Sequence, residues 1–139
     1  MTRYSSLLVP ACLVLGFSLA CGGSEGGVEV PNKMSADDRA HAARVLKAGE
    51  QVRAFYDATI SLDGSEIAMV TDQRVVYVLD GNVTEIALAD VTDVVRSEDA
   101  LTGDIIDVKG VGGQRLRIEI APLNDGPVFL EILKEATGK

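Results

Sequence analysis

The chain has 139 residues, 47% apolar and 24% charged, which are the proportions of one globular domain with a core and not of a disordered or multispan membrane protein. Its formal net charge of −8 argues against nucleic acid and anionic headgroups as partners, because both are held mainly through Lys and Arg. The 2 cysteines, Cys12 and Cys21, both sit near the N-terminus, so the remainder carries no disulfide, thiolate nucleophile or thiolate metal site.

Arg3 is the one positive charge ahead of an apolar run from Leu7 to Ala20, which Pro10 and Gly16 interrupt. The run is too short for the ~20 apolar residues of a transmembrane helix and ends in a Gly-rich polar stretch, so residues 1–20 read as a signal peptide. Ser18 and Ala20 suit ordinary cleavage after Ala20, which would give a plainly secreted protein. Ala20-Cys21 also resembles the lipobox of bacterial lipoproteins, although Ser18-Leu19 reverses that family's usual order of aliphatic and small residues. The resemblance implies that Cys21 is lipidated: diacylated on sulfur, with palmitate or similar chains, and left as the new N-terminus. It implies a membrane anchor in the bacterial cell envelope facing the periplasm or exterior, with the outer membrane ahead of the inner in a Gram-negative cell. Residues 21–34 then form the lipidated cysteine and a flexible Gly-, Ser- and Pro-containing linker, and residues 35–139 form the folded domain.

Ser35 and Asp38 make a capping-box-like helix start, Arg44 and Lys47 suit the other terminus, and Gly49 supplies a stop. Ala36, Ala40, Ala43, Val45 and Leu46 are expected to form its apolar side. A first strand alternates from Val52 to Leu62 with Phe55 as the exception, which predicts one buried face. Asp63-Gly64 turns the chain into Ile67–Val70, and Thr71-Asp72-Gln73 turns it again into Val75–Leu79. Val75, Tyr77 and Leu79 alternate with Val76 and Val78, a strand covered on both faces, and Asp80-Gly81-Asn82 gives the positive φ angles of a tight hairpin. Ile86 and Leu88 share a face of the return strand, and Val91–Val95 begins a fifth. A loop from Ala100 to Gly103 leads to Ile105, Ile106 and Val108, and the Gly110–Gly113 hairpin to the alternating strand Arg115–Ile120. Asn124-Asp125-Gly126-Pro127 opens a last helix with a stripe of Val128, Phe129, Ile132, Leu133 and Ala136.

Seven hairpin-ordered strands and a C-terminal amphipathic helix, with V-T-D-Q-R-V-V-Y-V at Val70–Val78, I-A-L-A-D-V-T-D-V at Ile86–Val94 and L-K-A-G-E-Q-V at Leu46–Val52, resemble bacterial pleckstrin-homology-like (PH-like) domains. The resemblance implies a mainly β fold, a seven-stranded antiparallel barrel or orthogonal sandwich capped by that helix, with an extra N-terminal helix. Phosphoinositide-binding members use basic residues in the first hairpin; here Ser61–Glu66 is acidic, so headgroup binding is not expected.

His41 lies one turn from Asp37 and Asp38, as a carboxylate-oriented base would, but at that spacing it reads as an exposed helix residue. Glu98, Asp99, Asp104 and Asp107 flank one hairpin without calcium-loop spacing and read as a solvated acidic face. Gly22-Gly23-Ser24-Glu25-Gly26 has the Gly-x-Ser-x-Gly spacing but sits in the Gly-rich linker and not at a strand-to-helix elbow, and Gly110–Gly113 joins two strands where a phosphate loop needs a following helix. The chain is therefore expected to be non-catalytic and without cofactor or metal. It would bind or scaffold an envelope partner, most readily a protein; the rival is a carrier of an apolar or lipid ligand.

Overall fold

The Asp80-Gly81 dipeptide forms the tight turn its chemistry requires, with φ of 48° and 81°. It joins β3 (Arg74–Leu79) to β4 (Asn82–Ala87), with Leu79 paired to Asn82. This hairpin belongs to a computed structural model that describes residues 26–139; the signal-peptide and Cys21 readings lie outside the described residues.

Two further strands, β1 (Val52–Asp57) and β2 (Glu66–Thr71), complete a 4-stranded antiparallel sheet in the order β1-β2-β3-β4. The strands β5 (Val91–Asp99), β6 (Gly103–Gly110) and β7 (Arg115–Ile120) form a 3-stranded antiparallel sheet in chain order. The fold is mainly β, as expected, and of the expected barrel or orthogonal sandwich no closed barrel is formed. Leu88–Asp90 is a 3-10 turn between β4 and β5, and hydrogen-bonded pairing stops there, leaving two separate sheets.

Helix α1 (Ala36–Ala43) precedes the sheets and α2 (Gly126–Thr137) follows them. Between the sheets, Val75, Ile86, Ile106, Ile118 and Ile120 meet Phe129 and Leu133 of α2, each no more than 1% exposed. Burying one such side chain is worth about 1.5–3 kcal/mol, so this layer dominates the stability of the domain. The predicted α2 stripe holds for Phe129 and Leu133, with Ile132 and Ala136 half-buried, whereas Val128 faces solvent and Leu130 takes its place against the core.

The other face of the 4-stranded sheet is covered as well. Phe55, Ile67, Met69, Val76 and Val78 pack beneath Met34 and Ala42, with Val45 and Leu46 alongside. Hence β1 is buried on both faces, contrary to the half-buried expectation. A β-bulge between Val52 and Ala54 moves Val52 onto the Phe55 side and leaves Ala54 and Tyr56 on the inner one. A second bulge between Val91 and Asp93 likewise lets Val91 and Val94, three positions apart, both enter the core.

Three boundaries also differ from the sequence reading. β1 ends at Asp57 and not at Leu62, because the Asp57 carboxylate accepts hydrogen bonds from Thr59 N–H (2.9 Å) and Gly64 N–H (2.9 Å) and ties Ala58–Ser65 into a loop. α1 stops at Ala43, and Gly49 (φ 77°) shapes the later turn into β1 instead of ending the helix. It buries Asp38 and Ala42, not the alanines at 36, 40 and 43: Ser35 Oγ accepts from Asp38 N–H (3.0 Å), and Ala42 packs in the cluster of Met34, Phe55 and Ile67. β5 and β6 extend to Asp99 and from Gly103, so the loop between them is shorter than read. Gly103 is fixed there: a Cβ would stand 2.2 Å from Ile120 O.

The segment read as linker joins the fold before Ser35. Glu29 pairs antiparallel with Phe55, their N–H and C=O groups exchanging bonds of 2.8 and 2.9 Å, and Val28 N–H donates to Asn124 O at 3.0 Å.

Candidate functional site

Two of the phrases that suggested a family meet in space. Glu50, from Gly49-Glu50, lies against Arg74, from Thr71-Asp72-Gln73-Arg74, with side chains 0% and 5% exposed. Arg74 Nε donates to Glu50 Oε1 at 2.7 Å and Nη2 to Oε2 at 2.9 Å, the two-pronged geometry that suits a guanidinium and a carboxylate. Nη2 also reaches Val45 O (2.8 Å), and Nη1 contacts Glu85 of β4, which Lys47 Nζ neutralises in turn (2.6 Å). Thr71 Oγ1 donates to Glu50 Oε1 (2.7 Å) and accepts from Arg74 N–H (3.0 Å), closing the β2–β3 turn. Asp72 and Gln51 fasten the flank, Gln51 N–H to Asp72 Oδ1 and Asp72 N–H to Gln51 O, both 2.9 Å.

The hydrogen bonds from Arg74 hold the Glu50 carboxyl well below its ordinary value of 4.5, at about 2, against the opposing effect of burial. A depressed folded value contributes stability that is complete above pH 4.5 and disappears as the pH falls toward 2. At about 1.4 kcal/mol per unit, the linkage is on the order of 3 kcal/mol. Urea unfolding of the wild type between pH 6 and pH 3 is expected to show this acid loss, and Glu50→Gln to lack that component; parallel curves for the two proteins would show that Glu50 is not its source. The buried ion pair is structural: it locks the turn before β1 to the β2–β3 turn and to β4.

The other candidates are placed as follows. His41 Nδ1 lies 2.7 Å from Arg44 Nη2, with no carboxylate among the described residues orienting it, and its ring covers Gly64, where a Cβ would come within 2.3 Å. A cleft of about 360 Å³ opens beside it toward Val78 and Val83. In the acidic hairpin, Arg96 pairs with Glu98 and Asp104, Arg117 donates to Asp107 (3.0 and 3.2 Å), and Asp99 accepts from Leu101 and Thr102 N–H. Among the described residues no group of three or more His, Asp or Glu is arranged to hold a metal ion. The acidic face is thus laced by arginines and by its own turn.

Sequence reasoning missed Glu29. Its Oε2 is buried without a hydrogen-bond partner, and burial together with the neighbouring Asp38 raises its pKa. Nothing local marks this contact, since it depends on a segment without periodicity finding the β1 edge.

The remaining feature that can bind is backbone. Among the described residues β5 is the longest strand, 9 residues, and pairs along one side only, with β6; Thr92, Val95 and Ser97 are exposed on it. Comparison with models of protein families, with curated proteins and with solved structures finds no match to this chain.

Proposed function

We propose that the protein is a lipid-anchored, non-catalytic component of the bacterial envelope whose single PH-like domain binds another envelope protein by strand addition at β5. The observation that carries the binding mode is the open edge. Along its 9 residues, every second one turns its N–H and C=O away from β6 and toward an incoming extended segment, with exposed side chains available for specificity. The PH-like reading is supported by the count and order of the strands and by the helix that closes their core. It is supported also by the ion pair that joins two of the phrases on which the resemblance rests. The anchor reading is supported by Ala20-Cys21 and the apolar run before it.

Against the carrier reading stands the packing between the sheets, where branched side chains and Phe129 occupy the space an apolar ligand of a few hundred Å³ would need. The test places a photo-crosslinking amino acid at Thr92 or Ser97 on β5 and, as a control, at Glu131 on the exposed side of α2, in cells that express the full chain. Discrete adducts from the β5 positions alone are expected. Adducts from Glu131 alone, or a co-purifying lipid with no protein adduct at any position, would defeat the strand-addition proposal.

A further inference from the structure

Three apolar side chains stand almost wholly in solvent at loop tips: Ile60 (105% exposed), Leu123 (100%) and Leu101 (91%). They occur on three different loops, β1–β2, β7–α2 and β5–β6, yet the fold brings these loops to one end. Tyr56 Oη accepts from Ala121 N–H and Asn124 Nδ2, both at 3.2 Å, which ties the end of β1 to the Leu123 loop. Gly103, just after Leu101, abuts Ile120 O and Pro122 N. Leu123 is also held at φ 71°, a left-handed conformation that a branched side chain adopts at a cost. Neither folding nor packing asks for leucine there.

The same end receives the chain from Cys21. Gly26 shares a cleft of about 380 Å³ with Ile60, Leu62, Ala121 and Asn124. Gly26 is the fifth residue after Cys21, a span that reaches at most ~18 Å even fully extended. β6 alone, with 8 residues, is about 26 Å long, so the opposite end with the Gly110–Gly113 turn stands farther from Gly26 than that reach.

We propose that this end is a lipid-facing surface, with Ile60, Leu101 and Leu123 entering the interfacial layer of the membrane that holds Cys21. The inference rests on the anchor reading. The occupant is the apolar part of a bilayer and not a phosphate headgroup, because the surrounding charges on these loops are carboxylates: Asp63, Asp99 and Asp125. Asp63 and Asp99 are held below the ordinary carboxylate range by hydrogen bonds, from Ser61 and Ser65 and from the Thr102 and Leu101 amides, and stay ionised at neutral pH. These groups remain in water at the rim while the apolar tips reach between headgroups. The short tether and the inserted tips together fix the orientation: the strands stand away from the membrane, and the Gly110–Gly113 turn points outward.

The chain has no tryptophan, so a single introduced indole reports its own surroundings. Ile60→Trp, Leu123→Trp and, as the distal control, Val111→Trp are purified in the processed form from bacterial membranes, and Cys21 acylation is read by mass spectrometry. The proteins are then placed in zwitterionic vesicles containing lipids brominated along the acyl chain. Blue-shifted emission and bromine quenching at positions 60 and 123, with neither at 111, are expected. Acylated protein that shows no quenching at 60 and 123, or equal quenching at all three positions, overturns the orientation and leaves the anchor standing. Protein that is unmodified at Cys21 removes the anchor, and the orientation with it.

Discussion

Arg74→Ala is expected to destabilise the domain by about 3–5 kcal/mol, the range for removing one partner of a buried ion pair. The cost arises because Glu50, whose side chain is 0% exposed, keeps its charge and loses two of its hydrogen bonds, while Val45 O and Glu85 lose a donor. A domain of this size has a total stability of about 5–15 kcal/mol, so the variant should unfold at markedly lower urea and lower temperature. Arg74→Lys is expected to fall between the two, since an ammonium keeps the charge but cannot make the two-pronged contact. The decisive comparison is Arg74→Ala, Glu50→Ala and the double variant by urea unfolding. A double variant little worse than either single is expected, because the second removal also removes the stranded charge. Singles that add to give the double, or an Arg74→Ala loss below about 1 kcal/mol, would mean that the pair is solvated in solution.

Cys21→Ser should move the protein from the membrane to the soluble fraction and abolish palmitate incorporation. Each buried CH₂ contributes about 0.8 kcal/mol, and two acyl chains hold stably where one holds marginally, so the effect is near all-or-none. The interfacial contacts proposed for Ile60, Leu101 and Leu123 are too few to retain the protein without the chains. Growth with labelled palmitate, followed by fractionation of cells expressing wild type and Cys21→Ser, gives the answer. Equal labelling of the two, or equal release, contradicts lipidation at this residue.

What was legible in the sequence was mostly local. Asp80-Gly81 could be read as a tight turn because positive φ at successive positions restricts the residue types, and the alternation from Val75 to Leu79 showed a strand covered on both faces. The core half of the last helix followed from Phe129 and Leu133 at helical spacing. What failed depended on partners distant in the chain. The bulges at Val52 and Val91 come from pairing with β2 and β6, and a period of two cannot announce where it will slip. Asp57 looked like an outward polar residue of a longer strand; its burial follows from the loop hydrogen bonds it collects from Thr59 and Gly64. Glu50 and Arg74 were each seen inside a phrase, but their contact spans more than twenty positions and needs the folded sheet to form. An Arg at the very start of an apolar strand, with a Glu just ahead of the preceding strand pair, is the signal that would have suggested it.

The bridge between Glu29 and Phe55 has a consequence for how the protein avoids its own kind. β1 is an outer strand of the 4-stranded sheet, and its backbone at Phe55 would otherwise present a donor and an acceptor to the same strand of a second molecule. By pairing Glu29 with Phe55, the chain covers that part of the edge from within, the task that proline, lysine or a bulge performs in other sheets. A chain beginning at Ser35 would keep every named strand and helix yet bare this edge, and would be prone to self-association. The stretch that resembles a tether is thus, from Val28 onward, a guard against aggregation.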